Sequence, residues 1–323
     1  MEKNFGEIRS GFGKGLVEAT KTNKNIVALC ADLTDSLKLT EFKEKYPNNF
    51  FEFGIAEQNM MSAAAGMCLN NKIPFVTSYA AFNPGRNWDQ LRISICYSNH
   101  NVKILGGHAG LTTGPDGATH QALEDITLTR VLPNLTIIVP CDEEEMKKAT
   151  IAAAKYKGPV YLRSTREKSK NITTENSPFI IGKANVLYSK GNDITIIACG
   201  ITVQFALEAI IKLKKENITA NLINLHTIKP LDEKTILKYA KKTNAILTCE
   251  EHQKNGGMGS AISELLSQKY PIPIEIIGID NSFGESGNGY ELLNKYNIST
   301  KEIINKTKKL IKRKKEFLKI TNK

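Results

Sequence analysis

Two short stretches hold the residues whose types and spacing could do chemistry. In Phe51-Glu52-Phe53-Gly54-Ile55-Ala56-Glu57-Gln58-Asn59-Met60-Met61, the carboxyl group of Glu57 stands among apolar neighbours where a helix should begin. Burial would raise its pKa and make it a proton donor at neutral pH, whereas a helix N-terminus would favour the ionised form; a plain capping role also stays open. About fifty residues on, Gly106-Gly107-His108-Ala109-Gly110-Leu111-Thr112-Thr113-Gly114-Pro115-Asp116-Gly117-Ala118-Thr119-His120-Gln121 gathers glycines, an aspartate and two of the five histidines. It follows a run expected to be a strand. Loops at the carboxyl ends of parallel strands are where α/β proteins bind ligands, and histidine titrates near neutrality, so this stretch reads as a functional loop.

Other chemistry-bearing residues are more isolated. His100, His226 and His252 stand alone and are expected to pack or to lie on the surface. No spacing matches a zinc site and no G-x-S-x-G elbow occurs. The six cysteines form no C-x-x-C pair and mostly sit in apolar runs, as reduced thiols packed like small hydrophobes do. Gly256-Gly257-Met258-Gly259 could cradle phosphate on backbone amides, but it lacks a P-loop lysine and the dinucleotide spacing. Close packing or a sharp turn explains the same glycines.

Elements that could position these residues alternate between strand-like apolar runs and helical patterns, which predicts an α/β protein built on largely parallel sheets. In the first series, strands are expected at 25–30, 102–106, 135–139 and 160–163, and helices at 57–69 and 142–155. The segment from Glu167 to Pro178 is polar and reads as a linker. A second series places strands at 194–198, 220–225, 245–249 and 274–279, with helices at 203–216, 232–243 and 260–269. Two domains follow, 1–166 and 191–323, joined by a linker at 167–190. A chain of 323 residues is long enough for two cores.

Composition agrees with a packed, soluble chain: 41% hydrophobic and 24% charged residues are the balance of an ordinary globular protein. No apolar run reaches bilayer length, and no signal-peptide pattern follows Met1, so a cytoplasmic protein without a membrane role is expected. The net charge of +11 suggests nucleic acid until its distribution is examined. Residues 301–323 carry ten Lys or Arg against two Glu, so most of the excess belongs to one tail. There, basic residues interleave with Leu310, Ile311, Phe317 and Leu318 at helical spacing, which predicts a solvated terminal helix and no nucleic-acid site.

The two reactive stretches, in this order, resemble the pyrimidine-binding half of the transketolase family of thiamine diphosphate enzymes. The resemblance begins at Ala31-Asp32-Leu33, passes through Glu57 and Phe82-Asn83-Pro84-Gly85-Arg86-Asn87-Trp88-Asp89-Gln90, and includes Gly114-Pro115-Asp116-Gly117-Ala118-Thr119-His120-Gln121 and Gly158-Pro159-Val160-Tyr161-Leu162-Arg163. Thr227-Ile228-Lys229-Pro230-Leu231-Asp232, Glu250-Glu251-His252 and Phe283-Gly284-Glu285-Ser286-Gly287 resemble the family's C-terminal domain. The resemblance implies a two-domain α/β fold, thiamine diphosphate as cofactor, and transfer of a two-carbon ketol unit from a ketose phosphate to an aldose phosphate.

It also implies roles. Glu57 would hydrogen-bond the cofactor's pyrimidine ring nitrogen and favour the imino tautomer, which lets the aminopyrimidine deprotonate the thiazolium. Phe82 would stack on that ring, Tyr79 complete the aromatic wall, Leu33 prop the bent cofactor and Asp32 contact it. His108 and Asp116 would contact sugar hydroxyls, and His120 would assist proton transfer beside the reacting centre. Arg9, Ser36 and Arg166 would grip the substrate phosphate, for which planar guanidinium groups are suited.

The family's diphosphate-binding domain, with its Gly-Asp-Gly stretch, has no counterpart before Arg9. The resemblance therefore points to the C-terminal subunit of a split transketolase. A separate N-terminal subunit would hold diphosphate and Mg²⁺ in an α2β2 heterotetramer, leaving no metal ligand here. One departure falls at Gly85 and Arg86, where the family often places an aromatic after the stacking phenylalanine. Rivals are a deoxyxylulose-phosphate synthase-like subunit, a 2-oxoacid dehydrogenase E1 β-like subunit and a non-catalytic regulatory subunit. The first typically has Asp-Arg in place of His108-Ala109; the second leaves Ser36 and Arg166 without a phosphate to bind; the third is disfavoured by the intact Glu57, Phe82, His108 and His120.

Overall fold

A computed structural model describes residues 4–321. In the first half, β1 (Phe5–Glu7), α1 (Ile8–Thr22), β2 (Ile26–Cys30), α2 (Thr40–Lys45), β3 (Phe50–Glu52), α3 (Glu57–Leu69) and β4 (Ile73–Tyr79) come first. Then follow α4 (Trp88–Gln90), running on as a wider helical turn through Tyr97, β5 (Lys103–Gly107), α5 (Asp125–Arg130), β6 (Thr136–Ile138), α6 (Glu143–Lys155) and β7 (Val160–Arg163). The second half holds β8 (Lys168–Lys170), β9 (Asn185–Tyr188), β10 (Ile194–Ala198), α7 (Thr202–Lys215), β11 (Ala220–Asn224), β12 (Thr227–Lys229), α8 (Glu233–Thr243) and β13 (Ile246–Gln253). It closes with α9 (Met258–Lys269), β14 (Ile274–Ile279), α10 (Gly289–Lys295) and α11 (Thr300–Thr321).

Two largely parallel sheets organise the chain, as expected of an α/β fold. The larger runs β12-β6-β7-β5-β4-β2-β3 and the smaller β14-β13-β10-β11-β9, with β12 and β9 antiparallel to their neighbours. Strands such as β2, Ile-Val-Ala-Leu-Cys, are buried at every residue because helices cover both faces, so their sequences are continuous apolar runs. Five of the six cysteines are buried and all six are free.

Several elements fall outside those expected from the sequence, α1 and β4 among them. Helix α1 carries Gly11, Gly13 and Gly15, poor helix formers that blur its helical signal. Tertiary packing restores it: a Cβ at Gly11 would run into the Glu143 carbonyl, so α1 lies close on α6, with Arg9 at its first turn. Strand β4 is obscured in the sequence by Pro74 near its start.

The stretch expected to be a bare linker is more structured than its composition suggests. The polar β8, Lys-Ser-Lys, pairs antiparallel with β1, and β9, Asn-Val-Leu-Tyr, pairs antiparallel with β11, each short segment docking on an existing backbone edge. Strand β12 crosses over to join β6 in the larger sheet. The basic tail forms α11, which buries Ile303, Thr307 and Leu310 against the second half, while Lys306 and Lys308 pair with Glu275 and Glu216. Among the described residues, no helix is long and apolar enough to cross a membrane.

Candidate active site

The residues singled out in the sequence converge on the carboxyl edge of the larger sheet, where crevices of parallel sheets form. Asp32 and Leu33 follow β2, Tyr79 ends β4, His108 follows β5 and Arg166 follows β7. Parallel register sets Tyr79 beside Gly107, so the next residue, His108, stacks on the Tyr79 ring at 4.0 Å between centroids. His108 itself takes a left-handed backbone at φ 51°.

Glu57 opens α3 and is 2% exposed. Its Oε1 accepts from Ser78 Oγ at 3.2 Å and its Oε2 from Arg86 Nη1 at 2.8 Å, while Asn87 Nδ2 donates to its main-chain carbonyl. Beside it lies an aromatic group. The Phe82 and Tyr79 rings stack at 6.4 Å, and His120 sets its edge against Phe82 at 5.3 Å. Thr119 Oγ1 lies 2.8 Å from His120 Nδ1.

Arg9, Ser36 and His108 come together. Arg9 Nη1 donates to the Ser36 carbonyl at 2.9 Å and stands 3.4 Å from His108 Nε2. A guanidinium only donates, so Nε2 accepts and the ring proton sits on Nδ1, which is buried without a partner. Burial, with Arg9 and Arg166 nearby, pushes the His108 pKa down to about 3, so the ring is neutral and offers an N–H donor.

Arg166 donates to the Thr113 carbonyl at 2.8 Å and reaches Asp116 Oδ1 at 3.4 Å, joining two predicted residues. A cleft of about 460 Å³ is lined by Phe5, Glu7, Arg9, Arg166, Lys168 and Tyr290, among others. Glu7, not foreseen, braces Arg9 and Lys38; burial opposes its charge, but these two cations win and hold its carboxyl below the usual range. Asp32 is exposed at φ 57°, and its N–H donates to Glu52 Oε1 at 2.7 Å. Glu52 also takes the N–H groups of Phe53 and Gly54, tying the loop after β2 to the approach to α3. Leu33 is half-buried at the same edge.

Support for the histidine loop comes from the second half, which no local pattern announces. Glu251 Oε1 accepts the Thr112 N–H at 2.7 Å, and Gln121 Nε2 donates to the Glu285 carbonyl at 2.9 Å. Beneath the loop, Asp125 Oδ2 accepts from Tyr161 Oη and Arg163 Nε, both at 2.8 Å and all buried. The glycine cluster before α9 packs tightly: its amides at Met258 and Gly259 are taken by the buried Glu250 carboxylate at 2.7 and 2.8 Å. An internal carboxylate thus fills the place a phosphate would need. His226 and His252 are packed residues, pushed down to about 4 by burial, and His100 bonds the Ser94 carbonyl. Among the described residues, no group of three or more His, Cys, Asp or Glu is arranged to hold a metal.

The profile of the transketolase pyrimidine binding domain matches residues 7–171, and that of the transketolase C-terminal domain matches residues 182–303. The chain belongs to the transketolase family. It is 37% identical over 307 residues to the 6-deoxy-6-sulfo-D-fructose transketolase subunit of a Clostridium species, covering 95% of both chains. It is also 37% identical to an apulose-4-phosphate transketolase subunit of Phocaeicola vulgatus, covering 95% of this chain and 98% of that one. A solved structure described as a split gene transketolase, inactive beta4 tetramer, superposes with a TM-score of 0.89 at 41% identity, covering 95% and 99% of the two chains. The transketolase-type fold and the likeness to split-transketolase subunits, expected from motifs alone, therefore hold.

Proposed function

We propose that this chain is the C-terminal subunit of a thiamine diphosphate-dependent transketolase, moving a two-carbon ketol unit from a ketose phosphate to an aldose phosphate. The observation that carries this reading is the Glu57 carboxylate, buried at the first turn of α3 beside the Phe82 and Tyr79 rings. This donor set fits an aminopyrimidine, which needs one carboxyl partner for a ring nitrogen and an aromatic face to lie on. When bound, thiamine diphosphate supplies the nucleophilic carbon that no protein side chain offers.

The chain's own residues divide the remaining work. Glu57 shares a proton with the pyrimidine nitrogen, Phe82 and Tyr79 form the stacking wall, and Leu33 and Asp32 contact the cofactor. His120 exchanges a substrate proton through Nε2, and the free Nδ1–H of His108 donates to a sugar oxygen. Asp116 accepts from a hydroxyl. Arg9, Ser36 and Arg166 hold the substrate phosphate. The pyrimidine-binding domain occupies 1–166 and the C-terminal domain 191–323, with 167–190 joining them.

An N-terminal subunit supplies the diphosphate grip and the Mg²⁺ ligands in an α2β2 assembly, in which each site draws on unlike chains. The subunit names of the two relatives support this division, as does the inactivity stated for the similar β4 tetramer. The test is to mix this chain with an N-terminal transketolase subunit, thiamine diphosphate and Mg²⁺ and to assay two-carbon transfer between sugar phosphates. Activity should need both chains and should vanish on Glu57→Ala. Full activity of that variant, or robust turnover by this polypeptide alone, overturns the reading.

A further inference from the structure

Arg86 makes, at the same time, the two contacts that the pyrimidine site would offer its ligand. Its guanidinium carbon lies 4.4 Å from the Phe82 ring centroid, over the face, while Nη1 donates to Glu57 Oε2 at 2.8 Å. A flat, nitrogen-bearing group stacked on a phenyl ring and bonded to a buried carboxylate resembles an aminopyrimidine in shape and hydrogen bonding. The two partners differ in depth. Glu57 is 2% exposed, whereas the Arg86 side chain is 43% exposed and reaches in from the rim. Glu57 is also held from within by Ser78 and Asn87, neither of which depends on the arginine.

We propose that Arg86 is a displaceable occupant of the pyrimidine site, covering Phe82 and pairing with Glu57 until the aminopyrimidine of thiamine diphosphate enters and takes both contacts. This rests on the assignment of Glu57 and Phe82 made above. A buried carboxylate without a cationic partner is costly, and Arg86 lowers that cost in the cofactor-free protein. The consequence is a penalty on binding, because only the fraction of molecules with Arg86 swung out can accept the ring, and the apparent affinity falls by that fraction.

The test is calorimetric titration of thiamine diphosphate, with Mg²⁺ present, into this chain assembled with an N-terminal subunit, comparing wild type with Arg86→Ala, Arg86→Lys, Glu57→Ala and Phe82→Ala. Arg86→Ala should bind the cofactor at least threefold more tightly. Arg86→Lys keeps the charge but cannot lie flat on the ring, so it should fall between. Added salt should narrow the gap between wild type and Arg86→Ala, since a half-exposed ion pair is screened. Unchanged or weaker binding by Arg86→Ala, while Glu57→Ala and Phe82→Ala bind poorly, overturns the occupant proposal and leaves the pyrimidine site standing. Unchanged binding by Glu57→Ala and Phe82→Ala removes the site itself, and the proposal with it.

Discussion

The carboxylate of Glu251 accepts the backbone N–H of Thr112 at 2.7 Å, so a side chain on β13 of the smaller sheet holds the loop that carries His108 and His120. A Cβ at Gly110, φ 90°, would strike that same carboxylate, which shows how closely loop and side chain are fitted. The C-terminal half thereby acts on the site without contributing to its aromatic wall.

Burial raises the Glu251 pKa to about 7, against the pull of Arg163 and Thr112. The folded state therefore holds this proton more tightly than the unfolded chain, and the associated stability is complete below about pH 4.5 and lost as pH rises through about 7. Glu251→Gln keeps an acceptor for Thr112 but has no proton to lose. Its melting temperature relative to wild type should climb between pH 5 and pH 8, by the equivalent of roughly 3 kcal/mol at most. A flat difference across that range contradicts the assignment.

Asp125 is the buried hub beneath the histidine loop, and truncating one member of such a network leaves the others unpaired. Asp125→Ala strands Arg163 and Tyr161 in the interior, which should cost about 3–5 kcal/mol in urea unfolding. A loss below about 1 kcal/mol would mean the interior readily admits water there.

Glu57→Gln keeps the size of the side chain and its contact with Ser78 but cannot carry the same proton. In the assembled enzyme, two-carbon transfer should fall by about 100-fold or more while the melting temperature barely moves. Parallel loss of stability and rate would instead assign Glu57 to the scaffold.

Arg166→Lys retains a cation but gives up the planar fork. The KM for a phosphorylated aldose should rise about tenfold or more with kcat little changed, and a non-phosphorylated aldose should be handled equally well by both proteins. An equal KM rise for both sugars would place Arg166 only in bracing Thr113.

Much of the site is readable because its motifs are local. Glu57 at the first turn of α3, and His108, Asp116 and His120 within one strand-to-helix connection, are set by short stretches whose glycines and apolar flanks announce them. Helix 57–69 and strands 160–163, 194–198 and 274–279 match their expected bounds, since unbroken apolar runs and Ala- and Met-rich segments speak for themselves. The glycine-rich α1, the polar β8 and the four-residue β9 are obscure for the converse reason: their own residues argue weakly and only a docking partner makes them regular.

The order of amino acids alone thus specifies the alternating α/β plan, the family and the chemical types gathered at the carboxyl edge of one sheet. Three-dimensional packing was needed to establish that Arg86 occupies the Glu57 carboxylate, that Glu7 braces Arg9, that Glu250 fills its own glycine cradle and that Glu251 holds Thr112. Each of these pairs either spans the two halves or joins separate segments of one half. Hydrogen bonds and ion pairs of that kind depend on where packed sheets bring side chains within about 3 Å of one another, a distance that local periodicity does not encode.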